Sequence, residues 1–255
     1  MNSGMVHFIG AGCGAADLIT VRGARLLSRA DVVVYAGSLI NPELLDYAAK
    51  ECRLYDSSTL DLEEILSVMI SAAKNGQSVV RLHSGDPSLY GAIREQMDGL
   101  AEKKIACDIT PGVSACFGAA ASLGLEYTLP GISQSLIITR MEGRTRSVDN
   151  ETIEAFAALD STMAIYLSTS MIANLSKKLI LGGYAPDTPA AIVYKATWPD
   201  EQIFLCSVDT LEQTASENNI TKTAVILVGK VLDQKGYDKS RLYDKAFETE
   251  YRHAR

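Results

Sequence analysis

The sequence has no run of apolar residues long enough to cross a bilayer. It also lacks a basic, apolar leader with a cleavage site, so neither membrane insertion nor export is expected. Cysteines are few: Cys13, Cys52, Cys107, Cys116 and Cys206 are widely spaced, odd in number, and none forms Cys-x-x-Cys. That argues against a disulfide framework or a zinc site and fits reduced, buried thiols in the cytoplasm. Positive charge is in short supply, 24 Lys and Arg against 31 Asp and Glu for a net charge of -7. Nucleic acid, which needs a net basic face, is not expected as a partner. No internal repeat, low-complexity tract, catalytic triad, carboxylate pair or metal-ligand cluster stands out, so no resident metal is expected.

What is present is an ordinary globular composition, 47% hydrophobic and 22% charged over 255 residues. In the first half, strands alternate with helices. "VHFIG", "DVVVYAG", "CRLYDS", "SVVRLH" and "IACDITPG" read as strands. Leu62, Ile65, Leu66, Met69, Ile70 and Ala73 make a helical stripe that Asn75-Gly76 ends. Asn41-Pro42-Glu43 reads as a helix start. This alternation predicts a parallel sheet covered on both faces. In the second half, "QSLIITR", "TMAIYLS", "AAIVYK", "EQIFLCS" and "TAVILVG" are strand-like, and "ATWPD" is a hairpin-length link. A mixed sheet follows. The fold class is therefore α/β in two domains, residues 1–112 and 113–255, meeting near Gly112 to Pro130.

The first strand runs into Gly10, Gly12 and Gly14, and with Ala15 this satisfies Gly-x-Gly-x-x-Gly/Ala. The dinucleotide fingerprint needs more than glycines. It wants an acid at the end of the second strand and a helix opening at the loop. Here Tyr35-Ala36-Gly37-Ser38 ends the second strand, and "AADLIT" separates the glycines from a helix capped by Thr20. The match is literal but lacks its context. A loop that needs close backbone approach or positive φ is the plainer reading.

"RLHSGDPSLYG" is more informative. Ser84-Gly85-Asp86-Pro87 is turn chemistry at the carboxyl end of a parallel strand, where open α/β sheets place ligands. Pro87 is expected to open the next helix. The Asp86 carboxylate could serve a ligand, or it could simply cap that helix. "ITPGVSA" repeats the arrangement, with Ser114 opening a helix of small residues that either packs tightly or leaves room for a flat ligand. His83, at a strand end, is a tempting base, but a single structural hydrogen bond is the expectation. Arg81 lies in a buried strand and reads as structural.

Taken in order, "IGAGCGAADLITVRGARLL", "DVVVYAGSLI", "RLHSGDPSLYG", "ITPGVSA", "AIYLSTSMI", "AIVYKATWPDE" and "ITKTAVILVG" resemble the tetrapyrrole methylases. The likeness covers almost the whole chain. "YAGSLINPELL", "MEGRTRSVDNETIEAFA" and the tail "SRLYDKAFETEYR" look like the branch that methylates carbon 11 of precorrin-4 or cobalt-precorrin-4 in corrin synthesis. The resemblance implies two α/β domains with a deep cleft between them, a homodimer, and S-adenosylmethionine as cofactor. Carried residue by residue, it puts the cofactor on Ser84, Gly85, Asp86, Leu89, Ser114, Ala115, Leu167, Ala196, Thr223 and Ala224. It turns the glycine loop, with Gly12 and Cys13, toward the tetrapyrrole. It also makes Arg140, Arg144 and Arg146 candidates for the substrate carboxylates, which planar guanidinium groups suit. Cys13 stands where many relatives have Pro, Ser84 where several have Gly, and Leu167 where some have Met.

Overall fold

The structure, a computed structural model, describes residues 4–143, 148–240 and 244–253. Contacts divide the chain into two compact units. One holds the chain up to Ala119 together with Lys195–Glu201, and the other holds Ala120–Tyr194 and the chain from Gln202 onward.

The first unit has a five-stranded sheet ordered β3-β2-β4-β1-β5, formed by β1 (Val6–Gly10), β2 (Val32–Tyr35), β3 (Arg53–Asp56), β4 (Val79–His83) and β5 (Cys107–Thr110). All its pairings are parallel. Central β4 is buried along its whole length, as expected of a strand covered on both faces. Helix α1 (Val21–Leu27) begins where Thr20 Oγ1 accepts from the Gly23 amide, as its sequence predicts. Its Leu27 joins Ile9, Val33, Val80 and Leu82 in a core on one face. Helices α2 (Leu62–Lys74) and α3 (Ile93–Glu102) cover the other face, with Ile65, Met69 and Leu100 against Phe8, Val34 and Val79. An Asp61–Glu64 capping box starts α2. Asn41 does open a helical segment, but a 3-10 one, Pro42–Tyr47.

Pro87 does not open the helix expected of it. Tyr90 (φ +57) and Ala92 (φ +48) are left-handed, and left-handed residues cannot continue a right-handed helix. The helix starts at Ile93 instead.

Helix α4 (Ala115–Leu123) runs across the division between the units. The second unit has a mixed sheet ordered β6-β7-β10-β8-β9, from β6 (Leu136–Arg140), β7 (Thr162–Tyr166), β8 (Pro189–Tyr194), β9 (Gln202–Ser207) and β10 (Ala224–Val228). Only β6 and β7 are parallel in it; β8 and β9 form the expected antiparallel hairpin. Helices α5 (Ile153–Ala157), α6 (Ile172–Gly182) and α7 (Leu211–Glu217) bring Ile153, Leu175, Leu179 and Leu211 onto Met163, Ile165, Ile192 and Ile226. Among the described residues, no helix is long and apolar enough to cross a membrane.

Candidate active site

In the first unit, β1 and β4 are neighbours, yet the helices that follow them lie on opposite faces of the sheet. In open α/β sheets such a switch point, outside the carboxyl ends of the two strands, is where ligands bind. The segments leaving those ends are Gly10–Ala15 and Ser84–Asp86, the two glycine sites of the sequence.

Backbone meets backbone here. A Cβ on Gly10 would lie 2.5 Å from the Gly85 carbonyl oxygen and 2.6 Å from Gly112 Cα. One on Gly112 would lie 2.2 Å from that same oxygen. Only glycine permits this approach. Beyond the strands, the Gly85 amide donates to the Gly12 carbonyl (2.9 Å) and the Gly12 amide to the Gly85 carbonyl (3.3 Å). Asp86 then ties in the turn after β5. Its Oδ2 accepts from the Gly112 amide at 2.8 Å, and its Oδ1 accepts from the Ser88 amide at 2.9 Å and from the Ser88 hydroxyl at 2.5 Å. Partial burial pushes the carboxyl pKa up, but the bonds from the Ser88 hydroxyl, the Gly112 amide and the Ser88 amide outweigh it and hold the pKa below the ordinary aspartate value. Asp86 is thus mainly a tie between turns, with acceptor capacity left on Oδ2. It does not cap α3.

The glycine loop is held from three sides. Asn41 Nδ2 donates to the Gly14 carbonyl at 3.0 Å. A Cβ on Gly118 of α4 would lie 2.7 Å from Cys13 Cβ. From the turn between β8 and β9, Thr197 Oγ1 accepts from the Ala15 amide at 2.9 Å and donates to Cys13 Sγ at 3.4 Å. Each glycine of the loop therefore has a use inside the unit. The strand order also differs from the dinucleotide fold's 3-2-1-4-5-6, and only a 3-10 turn, Ala16–Leu18, follows the loop before α1. The dinucleotide reading loses its support.

Ser114 carries α4's first turn, its carbonyl accepting from the Phe117 and Gly118 amides, and it stands near Gly85. A Cβ built on Gly85 (φ +63) would meet nothing closer than Ser114 Cα at 3.6 Å. Ser84, Gly85, Asp86, Leu89, Ser114 and Ala115 are therefore brought to one strand-end region. In the second unit, Arg140 closes β6 and Leu167 follows β7. Thr223 precedes β10 and Ala224 opens it, pairing with Tyr194, two residues before Ala196. Arg140, Leu167, Thr223 and Ala224 thus share one end of the mixed sheet. Leu167 (φ +52) and Thr223 (φ +57) are left-handed there, and Leu167 is 61% exposed. Such uncommon backbone in side-chain-bearing residues clusters at functional sites. Ser168 holds the bend, its Oγ donating to the Tyr166 carbonyl at 2.6 Å and accepting from the Met141 amide at 2.8 Å. Arg144 and Arg146 lie outside the described residues.

The family model Tetrapyrrole (Corrin/Porphyrin) Methylases matches residues 5–212. The chain belongs to the tetrapyrrole methylases. Like other tetrapyrrole methylases, it uses S-adenosylmethionine. Among similar family members is a cobalt-precorrin-4 C(11)-methyltransferase of Methanocaldococcus jannaschii, 49% identical over 98% of this chain and 97% of that one. A precorrin-4 C(11)-methyltransferase of a Sinorhizobium species is 43% identical over 97% and 98%. The X-ray structure of a cobalamin biosynthetic enzyme, a cobalt precorrin-4 methyltransferase, superposes with a TM-score of 0.87 at 41% identity, covering 90% of this chain and 96% of that one.

Sequence reasoning missed Thr197 and Asn41 as groups that hold the methylase's glycine loop. The signal was thin: a polar residue in a hairpin link, and an Asn already explained as a cap. It also misjudged His83. The ring is buried and stacks on Phe8 at 5.9 Å, but Nε2 has no hydrogen-bond partner among the described residues. Burial first, and then the Arg81 charge, push its pKa down to about 3, so the imidazole is neutral at physiological pH. Arg81 is structural as expected, donating from Nε to Gln96 Oε1 (3.0 Å) and from Nη1 to the Val34 carbonyl (3.2 Å). Burial lowers its pKa to about 10, which leaves it charged.

The His83 shift sets a pH dependence of folding. The unfolded chain takes up this proton near pH 6.5 and the folded one near pH 3, so the stability is complete above pH 6.5 and is lost as pH falls toward 3. Relative to His83→Phe, the wild type should lose about 2 kcal/mol between pH 7 and pH 5, read from urea midpoints. Parallel pH curves for the two proteins would contradict the assignment.

Proposed function

We propose that this tetrapyrrole methylase transfers a methyl group from S-adenosylmethionine to carbon 11 of precorrin-4 or its cobalt complex, a step of cobalamin biosynthesis. One observation carries the ring position: likeness at 49% and 43% identity, along nearly the whole chain, to enzymes named for that carbon. The same reading takes the protein to be a cytoplasmic homodimer.

The residues fit the cofactor. Gly85 carries no side chain and lies within van der Waals reach of Ser114 and Ala115, Leu89 offers an apolar wall, and Asp86 contributes an ionised carboxylate suited to a cationic ligand. In this reading Ser84, Gly85, Asp86, Leu89, Ser114, Ala115 and Ala196 in the first unit, and Leu167, Thr223 and Ala224 in the second, hold the cofactor. S-adenosylmethionine supplies an already activated sulfonium methyl. What remains for the protein is alignment, which accounts for a large share of the rate when reacting groups are held in line. The Asp86 tie fixes the turn against its neighbours before any ligand arrives. Gly12 and Cys13 offer a flat wall with no charged side chain, suited to a macrocycle. Arg140, Arg144 and Arg146 receive its acetate and propionate groups through paired hydrogen bonds. His83, neutral and with no proton affinity near pH 7, does not serve as the base.

Incubation with methyl-13C-labelled cofactor and precorrin-4, with and without cobalt, tests the reaction. The label should appear at carbon 11 in the product's NMR spectrum; a label on another ring carbon would reassign the enzyme within its family. Arg140→Ala should raise the tetrapyrrole KM about tenfold, the scale of one charge-assisted hydrogen bond, and leave S-adenosylhomocysteine affinity unchanged by calorimetry. An unchanged KM would remove Arg140 from the site.

A further inference from the structure

The turn Lys195–Glu201 joins two strands of the second unit but belongs by its contacts to the first. Its conformation is unusual. Lys195 (φ +47) and Thr197 (φ +66) are both left-handed. For a β-branched residue such as Thr this is a genuine outlier, kept only where the surroundings determine it. The surroundings do so here. The Thr197 amide donates to Glu201 Oε2, Lys195 Nζ pairs with Asp200 at 2.6 Å, and the Lys195 ammonium sits 5.0 Å from the Trp198 ring centre. The Trp198 amide returns to the Lys195 carbonyl at 2.9 Å.

This rigid turn is fitted to the glycine loop. The space where Gly14 would carry a Cβ is taken by Trp198 Cδ1 at 2.2 Å and the Ala196 carbonyl oxygen at 2.4 Å. The Thr197 hydroxyl is spent on the loop in both directions, accepting from the Ala15 amide and donating to Cys13 Sγ. A turn held in costly backbone geometry, with its one hydroxyl used to fix the two residues flanking Gly14, has the form of a positioning device.

We infer that Thr197 is a positioning residue for tetrapyrrole binding: its hydroxyl holds Cys13 and Ala15 in the conformation that receives the ring, beside the adjacent cofactor residue Ala196. The inference rests on the reading that the glycine loop faces the tetrapyrrole. It assigns the hydroxyl, rather than the bulk or backbone of the residue, to substrate affinity.

Three variants separate the possibilities. Thr197→Val keeps the shape and the β-branch but cannot bond either loop residue; Thr197→Ser keeps the hydroxyl. Ala15→Leu adds bulk at a half-buried loop position. Steady-state assays with the tetrapyrrole and calorimetry with S-adenosylhomocysteine are run on each. Thr197→Val should raise the tetrapyrrole KM about tenfold, the effect of losing two neutral hydrogen bonds, with kcat and S-adenosylhomocysteine affinity within twofold of wild type. Thr197→Ser should restore KM. A wild-type KM in Thr197→Val, or an equal loss of S-adenosylhomocysteine affinity, would overturn the inference. If Ala15→Leu raises KM while Thr197→Val does not, only the role of Thr197 falls. If neither variant changes KM, the loop does not face the substrate and the underlying reading falls with it.

Discussion

Three glycines touching through their backbones set what the first unit can do. Gly10 ends β1, Gly85 follows β4 and Gly112 follows β5, and no side chain fits at Gly10 or Gly112. The contact brings the segments leaving three adjacent strands to within van der Waals distance. It lets Gly12 and Gly85 exchange backbone hydrogen bonds past the end of the sheet. It also puts the Gly112 amide within reach of Asp86. A bulkier residue at either close-packed position would push these segments apart, and the turn that carries Ser84, Gly85 and Asp86 of the proposed cofactor contacts would lose its shape.

Around that contact, the polar groups are largely satisfied within the protein. Asp86 takes three hydrogen bonds, Asn41 two, and the Thr197 hydroxyl two. This is preorganisation in the physical sense, since the cost of ordering the loops is met during folding and not again on binding. His83 is the exception, with a buried ring nitrogen that has no partner among the described residues. Its burial keeps it neutral, which suits a ring stacked on Phe8 and repelled by the Arg81 charge. Left-handed backbone occurs in the same neighbourhoods, at Tyr90, Ala92, Lys195 and Thr197 in the first unit and Leu167 and Thr223 in the second, as well as at other turns of the chain.

Much of this was legible from residues alone. Alternating strands and helices predict the parallel sheet, the short "ATWPD" link predicts the β8–β9 hairpin, and the position of Thr20 predicts the α1 cap that its hydrogen bond from Gly23 makes. Local signals of this kind act over a few residues and survive in a single sequence. Strand order does not, because it depends on which faces bury which side chains across the chain. That order is why Gly10 proved to be a packing glycine against Gly112 and not part of a dinucleotide loop. The expected helix at Pro87 failed for a related reason: the preference of Pro for a first helical turn yielded to left-handed Tyr90 and Ala92. Thr197 carried no pattern at all, since its partners Cys13 and Ala15 lie more than 180 residues away.

The Asp86 tie is the element that shapes the turn proposed to hold the cofactor. Calorimetric titration of Asp86→Asn with S-adenosylhomocysteine tests it directly. An Asn side chain has one oxygen where Asp86 uses two, so the bond to Gly112 or the pair from Ser88 must be lost. The account predicts at least about tenfold weaker binding, the scale of a hydrogen bond to a charged group, in a protein that still unfolds cooperatively. Wild-type affinity in that variant would show that the turn after β4 does not seat the cofactor in the way its geometry implies.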